Sequence, residues 1–406
     1  MDDTIQTYNP VIQQNRIELI DIFRGLAIFG IFMVNIHVMN CAFPNRGMQE
    51  AKFQEFIDTS TIEVLGLFFY GKFFPIFSFL FGLGISLQVR RQLEKGTFSI
   101  AFFTRRLIAL FLFGAAHIIF IWSGDVLHLY AILGAILLLF IQKSAKFLFI
   151  SFLVILFFPF YLDLFEWVID TLGFDFMKPI EELSHTELTD TYRNGSYLEI
   201  MNLRFIEYQS ATEILWLILA PTAFAMIFLG ASIGKSGLLY RIPEFVAKTK
   251  YRVLIIFAAA VSYHYFALYL FSTFTEPPGR VLRYFILYPF IFADVVIALS
   301  IVWSVAYIYQ SKIGKRILSP LRHVGQMAFT NYISQSLLGL IIFSSLGFGF
   351  YEKGSPSELV GIVILTYFVQ IIFSKFWMQY FRFGPLEWLW RCISYLKIMP
   401  IKRSIQ

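Results

Sequence analysis

The chain has 406 residues, of which 58% are hydrophobic and only 15% are charged, and its formal net charge is +6. Soluble domains are about half apolar and a quarter charged, so this composition excludes a soluble globular protein and predicts an integral membrane protein. Lys and Arg mainly set the topology of such a protein, so the positive charge does not point to nucleic acid as a partner.

The hydropathy pattern predicts an all-α integral membrane protein with about ten transmembrane helices. The spans are expected near residues 18–39, 62–88, 102–122, 126–142, 146–166, 211–233, 251–273, 284–309, 327–349 and 358–378. With the N-terminus inside the cell, the inner loops hold about twice as many Lys and Arg residues as the outer loops, as the positive-inside rule requires. We therefore expect both termini to be cytoplasmic.

The first span carries polar residues at both ends. Asp21 and Arg24 are three residues apart at the inner end and can pair. Arg24 either sets the topology or binds the anionic part of a phosphorylated cytoplasmic donor. Asn35 and His37 lie at the outer end, where a simple membrane anchor needs no polar side chain. The pattern indicates a polar group at each membrane face.

Three ionisable residues fall deep inside predicted spans. Lys72 lies about ten residues, or roughly 15 Å, into the second span. Asp294 and His264 lie near the middle of the eighth and seventh spans. An unpaired Lys at this depth costs at least ~2.5–3.5 kcal/mol. We expect either a buried substrate site or a structural ion pair between Lys72 and Asp294.

A second polar group is predicted near the outer face. His117 lies in the outer part of the third span, and we include it among the candidate substrate contacts. The turn WSGDVLHLYA joins the third and fourth spans and contains Asp125 and His128, which share a face if the fourth helix begins at Asp125. Asp125 is then either the N-cap of that helix or the carboxylate that orients His128.

Residues 167–210 form the longest outer segment and separate an N-terminal half, 1–166, from a C-terminal half, 211–406. The segment is rich in Asp and Glu, and its sequence is typical of short amphipathic helices with a turn at YRNGS. Its length suits a lid or an acceptor-binding cap, but a simple extracytoplasmic cover fits equally well.

The ninth span begins with LRHVGQMAFTNYISQS, which has an unusual density of hydrogen-bonding side chains, among them Asn331 and Gln335. These side chains either join helices or line a polar entrance for a donor. The tail FRFGPLEWLWR is predicted to begin a helix at Pro385 that lies on the cytoplasmic leaflet. None of the six histidines shows a metal-ligand spacing, and the chain has neither a GxSxG elbow nor a Walker A motif, so we predict no metal site.

Five segments carry a resemblance to a known family: DIFRGLAIFGIFMVNI, GKFFPIFSFLFGLG, GDVLHLYAILG, GQMAFTNYISQS and FGPLEWLWR. With them the chain resembles the YeiB-like bacterial multi-pass membrane proteins, whose C-terminal half is a domain of unknown function. The resemblance extends over nearly the whole chain and implies a bacterial cell membrane protein.

The first two spans are also distantly similar to transmembrane acyltransferases of the heparan glucosaminide N-acetyltransferase type. Those enzymes carry an RGxAL…N first helix and an FPxFxFxxG second helix, and the resemblance implies that Asn35 matches a catalytic asparagine. Such enzymes move an acyl group from cytoplasmic acyl-CoA to an acceptor on the far side. They use a histidine in the loop after the first helix, but this chain has none between Asn40 and Tyr70. The resemblance then requires His37 or His128 to take that role.

Our leading hypothesis is a membrane-embedded acyltransferase. An acyl-CoA donor would enter past Arg24, Asn331 and Gln335, and a hydroxyl or amine would be the acceptor outside. His128, oriented by Asp125, is the expected general base, Asn35 the contact for the acyl carbonyl, and His37 the reserve base. The alternative is a transporter of a small polar or lipid-like solute with Lys72, His264 and Asp294 as its site. A scaffold role in the lipid bilayer and a homodimer are left open.

Overall fold

The computed structural model of the protein describes residues 17–42, 45–157, 167–173, 175–273 and 280–403, and for residues 280–285 it describes the backbone alone. The N-terminal helices are α1 (Glu18–Asn40), α2 (Arg46–Glu50), α3 (Phe56–Phe68), α4 (Phe73–Glu94), α5 (Ile100–Phe120), α6 (Leu127–Phe140) and α7 (Ala145–Phe157). The following helices are α8 (Lys178–Glu181), α9 (His185–Asn194), α10 (Tyr197–Ser210), α11 (Ala220–Ser236), α12 (Ile242–Thr273), α13 (Arg280–Ile308), α14 (Lys312–Leu318), α15 (Leu321–Gln326), α16 (Ala328–Phe343), α17 (Pro356–Tyr380) and α18 (Pro385–Tyr395). A π-helix, Ile214–Leu219, leads into α11.

These elements confirm the predicted all-α membrane protein. Within the described ranges, seven helical stretches are long and apolar enough to cross a membrane, and α6, α7 and α16 are shorter apolar helices. No β-strand occurs in this part of the chain. The total of ten spans and the cytoplasmic termini stay predictions. We call the Glu18 end of α1 inner and its Asn40 end outer, following the predicted topology.

Helix α1 lies at the centre of the bundle, where it packs against α4, α15, α16 and α17. Two glycines permit these close approaches. A Cβ at Gly25 would overlap the carbonyl oxygen of Leu321 in α15, and a Cβ at Gly30 would overlap the ring of Phe73 in α4. The second contact places the beginning of α4 level with the middle of α1.

Helices α4 and α11 form another close pair. A Cβ at Gly82 would overlap the carbonyl oxygen of Ile227, and a Cβ at Gly230 would overlap that of Phe79. Ser86 also donates a hydrogen bond to the carbonyl oxygen of Ala231 at 2.9 Å. The glycine-containing FGLG segment therefore serves helix packing, as expected for small residues between membrane helices.

The predicted span over residues 62–88 lies within one long apolar stretch, Phe56–Glu94, but it is not one continuous helix. The structure divides this region into α3 and α4, and Gly71 between them has φ of +79°. This left-handed conformation favours glycine and cannot continue an α-helix. The Lys72 ammonium donates to the carbonyl oxygen of Gly66 at 2.7 Å, near the end of α3.

The predicted ninth span, 327–349, extends too far. Helix α16 ends at Phe343, and the chain then turns through Ser344, whose hydroxyl donates to the carbonyl oxygen of Leu340 at 2.6 Å. Gly349 has φ of +56° in the same loop. Glycine and serine at these positions stop the helix before the expected end.

Residues 178–210, which we call the outer cap, lie over the outer ends of the bundle helices. Helices α9 and α10 each begin with a capping box, at Ser184 and Ser196. Arg193 donates to the carbonyl oxygen of Tyr351 at 2.9 Å, and Tyr197 donates to that of Phe120 at 2.7 Å. The short helices agree with the sequence pattern, and the function of the cap stays a prediction.

Candidate functional site

The turn between α5 and α6 brings two histidines to one buried carboxylate. His117 Nδ1 lies 2.8 Å from Asp125 Oδ2, and His128 Nδ1 lies 3.4 Å from Asp125 Oδ1. All three residues are buried, with 5% or less of the surface of each exposed. The shorter distance makes His117 the closer partner, although the sequence suggested only His128 as the histidine that Asp125 orients.

Asp125 also caps the following helix. Its Oδ1 accepts a hydrogen bond from the backbone N–H of Leu127 at 2.8 Å and a longer one from that of His128 at 3.4 Å. Helix α6 begins at Leu127, one residue after the predicted start of the fourth span, and its N-cap is Val126. The two interpretations of Asp125 are not exclusive, because Oδ1 bonds the first N–H group of α6 and also lies near His128, while Oδ2 lies near His117.

The charge of Asp125 is favoured despite its burial. Desolvation opposes ionisation, but the hydrogen bonds from His117 and His128 outweigh it and hold the pKa of Asp125 below its usual value. Tyr332 adds a hydroxyl at 3.5 Å from Oδ2. A buried carboxylate that stays ionised needs such donors around it.

The second ring nitrogen of His117, Nε2, has a fixed orientation. Nε2 is buried and has no hydrogen-bond partner among the described residues. The ring lies between Trp122 and Tyr332, with centroid distances of 6.3 and 5.4 Å. If Nδ1 carries the proton that Asp125 accepts, Nε2 keeps a lone pair.

His128 connects the site to the outer cap. Its Nε2 lies 3.0 Å from the hydroxyl of Tyr208 in α10. Gly114 in α5 allows the close approach of α6, because a Cβ there would overlap the backbone nitrogen of His128. Both ring nitrogens of His128 therefore have partners.

A second carboxylate links the same turn to the cap. Glu207 Oε2 accepts hydrogen bonds from Tyr192 at 2.7 Å and from Ser123 at 2.9 Å. Burial raises the pKa of Glu207 above its usual value, and these two hydrogen bonds only partly offset that effect. Nothing in the sequence distinguishes Glu207, since one acid in an acidic outer segment gives no signal.

The predicted outer residues of α1 do not join the Asp125 group. His37 Nδ1 donates to the carbonyl oxygen of Met33 at 2.9 Å, and its ring lies edge-on to Tyr70. Asn35 is half-buried, and its side chain forms no hydrogen bond with the described residues. No contact within the described chain connects either residue to His117 or His128.

At the inner end, Arg24 pairs with Asp21 as expected, at 3.2 Å. Asn331 donates to Ser374 at 3.0 Å, and Gln335 donates to Gln370 at 2.9 Å, so both amides bridge α16 and α17. This arrangement favours the helix-joining interpretation of the two amides. Their contact with a donor stays a prediction without support from the geometry.

The deep ionisable residues form one cluster. Lys72 Nζ lies 2.9 Å from Asp294 Oδ1, and His264 Nδ1 lies 2.9 Å from the same oxygen. A Cβ at Gly71 would overlap Asp294 Oδ2, so the glycine lets the carboxylate approach the break between α3 and α4. His117 belongs to the Asp125 group, not to this cluster. No group of three or more His, Cys, Asp or Glu residues able to hold a metal occurs in the described part of the chain.

Glu387 fills a role that the sequence did not reveal. It lies in α18 and accepts hydrogen bonds from the backbone N–H groups of Phe329 at 2.7 Å and Thr330 at 3.1 Å. The tail helix is thereby attached to the inner end of α16. Burial raises the pKa of Glu387 despite these hydrogen bonds.

Comparison with known proteins agrees with this architecture. Residues 233–397 match the family described as "Protein of unknown function (DUF418)". The chain is 31% identical over 419 residues to "Uncharacterized protein YxaH" of Bacillus subtilis (strain 168), with 98% of this chain and 99% of the relative covered. It is 26% identical over 403 residues to "Uncharacterized protein YeiB" of Escherichia coli (strain K12), with 92% and 95% covered. The chain therefore belongs to the YeiB-like family of multi-pass membrane proteins.

Proposed function

We propose that this protein is a membrane-embedded acyltransferase of the bacterial cell membrane. It would move an acyl group from a cytoplasmic acyl-CoA-type donor to a hydroxyl or amine acceptor on the outer side. The observation that carries the proposal is the buried Asp125–His117 pair, in which a carboxylate holds one ring nitrogen and the other has no partner in the described part of the chain. Acyl transfer uses this arrangement in many unrelated folds.

The general base is His117 in this proposal, in place of the expected His128. Asp125 fixes the tautomer with the proton on Nδ1, and Nε2 then accepts the acceptor's proton as its oxygen or nitrogen attacks the thioester carbon. The tetrahedral intermediate collapses by breaking the carbon–sulfur bond. The thiolate of the donor leaves and receives the proton from His117, so that the base is regenerated.

His128 and Tyr208 support this pair. His128 donates a second hydrogen bond to Asp125 and accepts one from Tyr208 when its own proton is on Nδ1. The carboxylate is thereby held from two sides, and the cap helix α10 is coupled to it. His128 is a positioning residue in this account, and His37 has no role in it because it contacts neither histidine.

Two residues of α1 are available for the donor. The Asn35 amide makes no hydrogen bond with the described residues and can bind a polar group of the donor. The Arg24 side chain is 32% exposed at the inner end, where it can bind a phosphate of the donor. The two residues are about 16 Å apart along the helix, a distance that the extended arm of an acyl-CoA can span.

The test is acyl transfer by the purified protein in detergent, with labelled acetyl-CoA and a panel of small alcohols and amines. His117→Ala should lower the rate by about 100-fold or more, which is the usual contribution of a general base. His323→Ala is the matched control, because His323 lies in α15 at the inner end, and it should leave the rate unchanged. Full activity in His117→Ala would exclude this mechanism.

Transport of a small polar solute is the second candidate function. The observation that favours it is the cluster of Lys72, Asp294 and His264 around a single carboxylate oxygen. Intramembrane ionisable groups commonly mark proton or substrate pathways. Solute uptake into proteoliposomes that is abolished by Asp294→Asn, with no acyl product under any condition, would favour this function over transfer.

A further inference from the structure

A small cavity lies between the outer cap and the bundle, next to the Asp125 group. Its polar wall is formed by Trp122, Tyr192, Arg204 and Ser336, and its apolar wall comes from the outer parts of α1 and α16. The space exceeds the ~10–15 Å³ that one water molecule requires.

Arg204 brings a buried positive charge to this cavity. The residue is only 3% exposed, and its Nη1 donates to the carbonyl oxygen of Phe120 at 3.4 Å. Its guanidinium also interacts with the hydroxyl of Tyr192 and, through its charge, with Glu207. It forms no ion pair with any carboxylate in the described ranges. A guanidinium has five N–H donors, and a buried charge without a partner is costly. Arg204 therefore has N–H donors to spare and no carboxylate in direct contact with it among the described residues.

Glu207, one turn away in α10, forms no direct ion pair with Arg204. Its Oε2 is occupied by the hydroxyls of Tyr192 and Ser123. Burial raises the pKa of Glu207, and these hydrogen bonds and the charge of Arg204 offset that effect only in part. The cap thus contributes a buried cation and a carboxyl group that is already bonded to two hydroxyls.

Ser336 gives an independent indication of a ligand. The residue is 1% exposed, its hydroxyl has no partner among the described residues, and it lines the same cavity from α16. Buried hydroxyls without a partner are uncommon, because each loses its hydrogen bonds to water. A cation and a hydroxyl without a described partner that line the same cavity form a suitable pair of donors for an oxyanion.

We propose that this cavity binds the carboxylate or phosphate group of a small molecule, with Arg204 and Ser336 as its donors. Arg binds such planar or tetrahedral oxyanions through paired N–H groups. This binding does not depend on any transfer reaction. The further statement that the anion positions an acceptor rests on the proposed function: Trp122 lines the cavity and its ring lies 6.3 Å from that of His117.

The test is calorimetric binding of sodium acetate and inorganic phosphate to the purified full-length protein in phosphatidylcholine nanodiscs. Arg204→Gln should weaken binding by about tenfold or more, and Ser336→Ala by severalfold, since each removes a hydrogen bond to a charged group. Arg241→Gln and Ser236→Ala change an exposed Arg and an exposed Ser far from the cap, and they should bind as the wild type does.

A second arm identifies the source of the anion. Nanodiscs with added phosphatidylglycerol should compete with acetate and phosphate if a lipid headgroup occupies the cavity, and should leave their affinity unchanged if a free small molecule does.

Arg204→Lys covers the case in which Arg204→Gln fails to fold, because it keeps the charge and loses the paired donors; it too should bind more weakly. Equal binding by the wild type, Arg204→Lys and Ser336→Ala, or no binding by the folded wild type in either disc, would overturn the proposal. Binding that persists in His117→Ala without acyl transfer would separate this site from the catalytic proposal.

Discussion

His117 Nδ1 and Asp125 Oδ2 lie 2.8 Å apart, and almost none of the surface of either side chain is exposed. The two residues come from different elements, the last turn of α5 and the loop that follows it. Their pairing fixes the orientation of one imidazole and leaves its Nε2 without a partner among the residues that the structure describes. The carboxylate of Asp125 thus has two roles, because it also accepts a hydrogen bond from the first N–H group of α6.

The lowered pKa of Asp125 predicts acid sensitivity. A carboxylate whose pKa is lower in the folded state contributes stability above its ordinary pKa and loses it as pH falls through the folded value. Asp125→Asn should therefore cost about 1–3 kcal/mol at pH 7 and much less at low pH. Thermal unfolding of the detergent-purified protein between pH 7 and pH 3 measures the difference. A gap between variant and wild type that is constant with pH would contradict this account.

The pKa of Glu207 is shifted in the opposite direction to that of Asp125. Its raised pKa means that the folded protein holds this proton more tightly than the unfolded chain, so the contribution is complete at low pH and is lost as pH rises through the folded value. Glu207→Gln keeps a neutral acceptor for Tyr192 and Ser123 at every pH. The variant should lose less stability than the wild type between pH 5 and 9, as followed by thermal unfolding. Glu187→Gln, at a fully exposed position in the cap, is the control. A steeper loss in Glu207→Gln would refute the burial argument.

The cluster around Asp294 predicts unequal costs for its members. Asp294→Asn weakens the contacts with both Lys72 and His264 and should cost about 3–5 kcal/mol, whereas Lys72→Met leaves His264 on the carboxylate and should cost less. The double variant should be more stable than the sum of the two changes predicts. Equilibrium unfolding in mixed micelles measures the free energies of this double-mutant cycle, and Lys95→Met, at an exposed position, is the control. Additive costs would mean that the pair carries no coupling energy.

The contact between α4 and α11 predicts a steric effect at Gly82. Gly82→Ala places a Cβ against the carbonyl oxygen of Ile227 and should destabilise the protein by about 1–3 kcal/mol. Gly361→Ala is the matched control, because a Cβ at this position in α17 meets no atom within 4 Å. It should be neutral or slightly stabilising, since Ala is the better helix former. Equal melting temperatures for the two variants would contradict the close packing.

The sequence predicted the elements whose physical constraints are strong. An apolar stretch that is long enough to cross a bilayer is easily recognised. Because a charge inside a span needs a partner, an ion pair between Lys72 and Asp294 could be predicted as one alternative. The break between α3 and α4 was missed because hydropathy does not register the backbone conformation of Gly71. The beginning of the tail helix at Pro385 was correct because Pro suits a first turn.

The candidate site was only partly predictable. His128 was chosen because three residues separate it from Asp125, a spacing visible in the sequence. His117 lies eight residues before Asp125, and only the tight turn after α5 brings the two together. Arg204 and Ser336 come from distant parts of the chain and meet through the position of the cap, which no local pattern encodes. Asn331 and Gln335 show the converse case, in which polar residues suggested a ligand site but bridge two helices.

The most direct measurement of the central claim is transfer across a sealed membrane. Proteoliposomes would contain labelled acetyl-CoA inside and a small amine or alcohol acceptor outside, with wild-type protein and with His117→Ala. We predict labelled product outside for the wild type and about 100-fold less for His117→Ala. Absence of product from the wild type with every acceptor, or equal amounts from both proteins, would contradict the account.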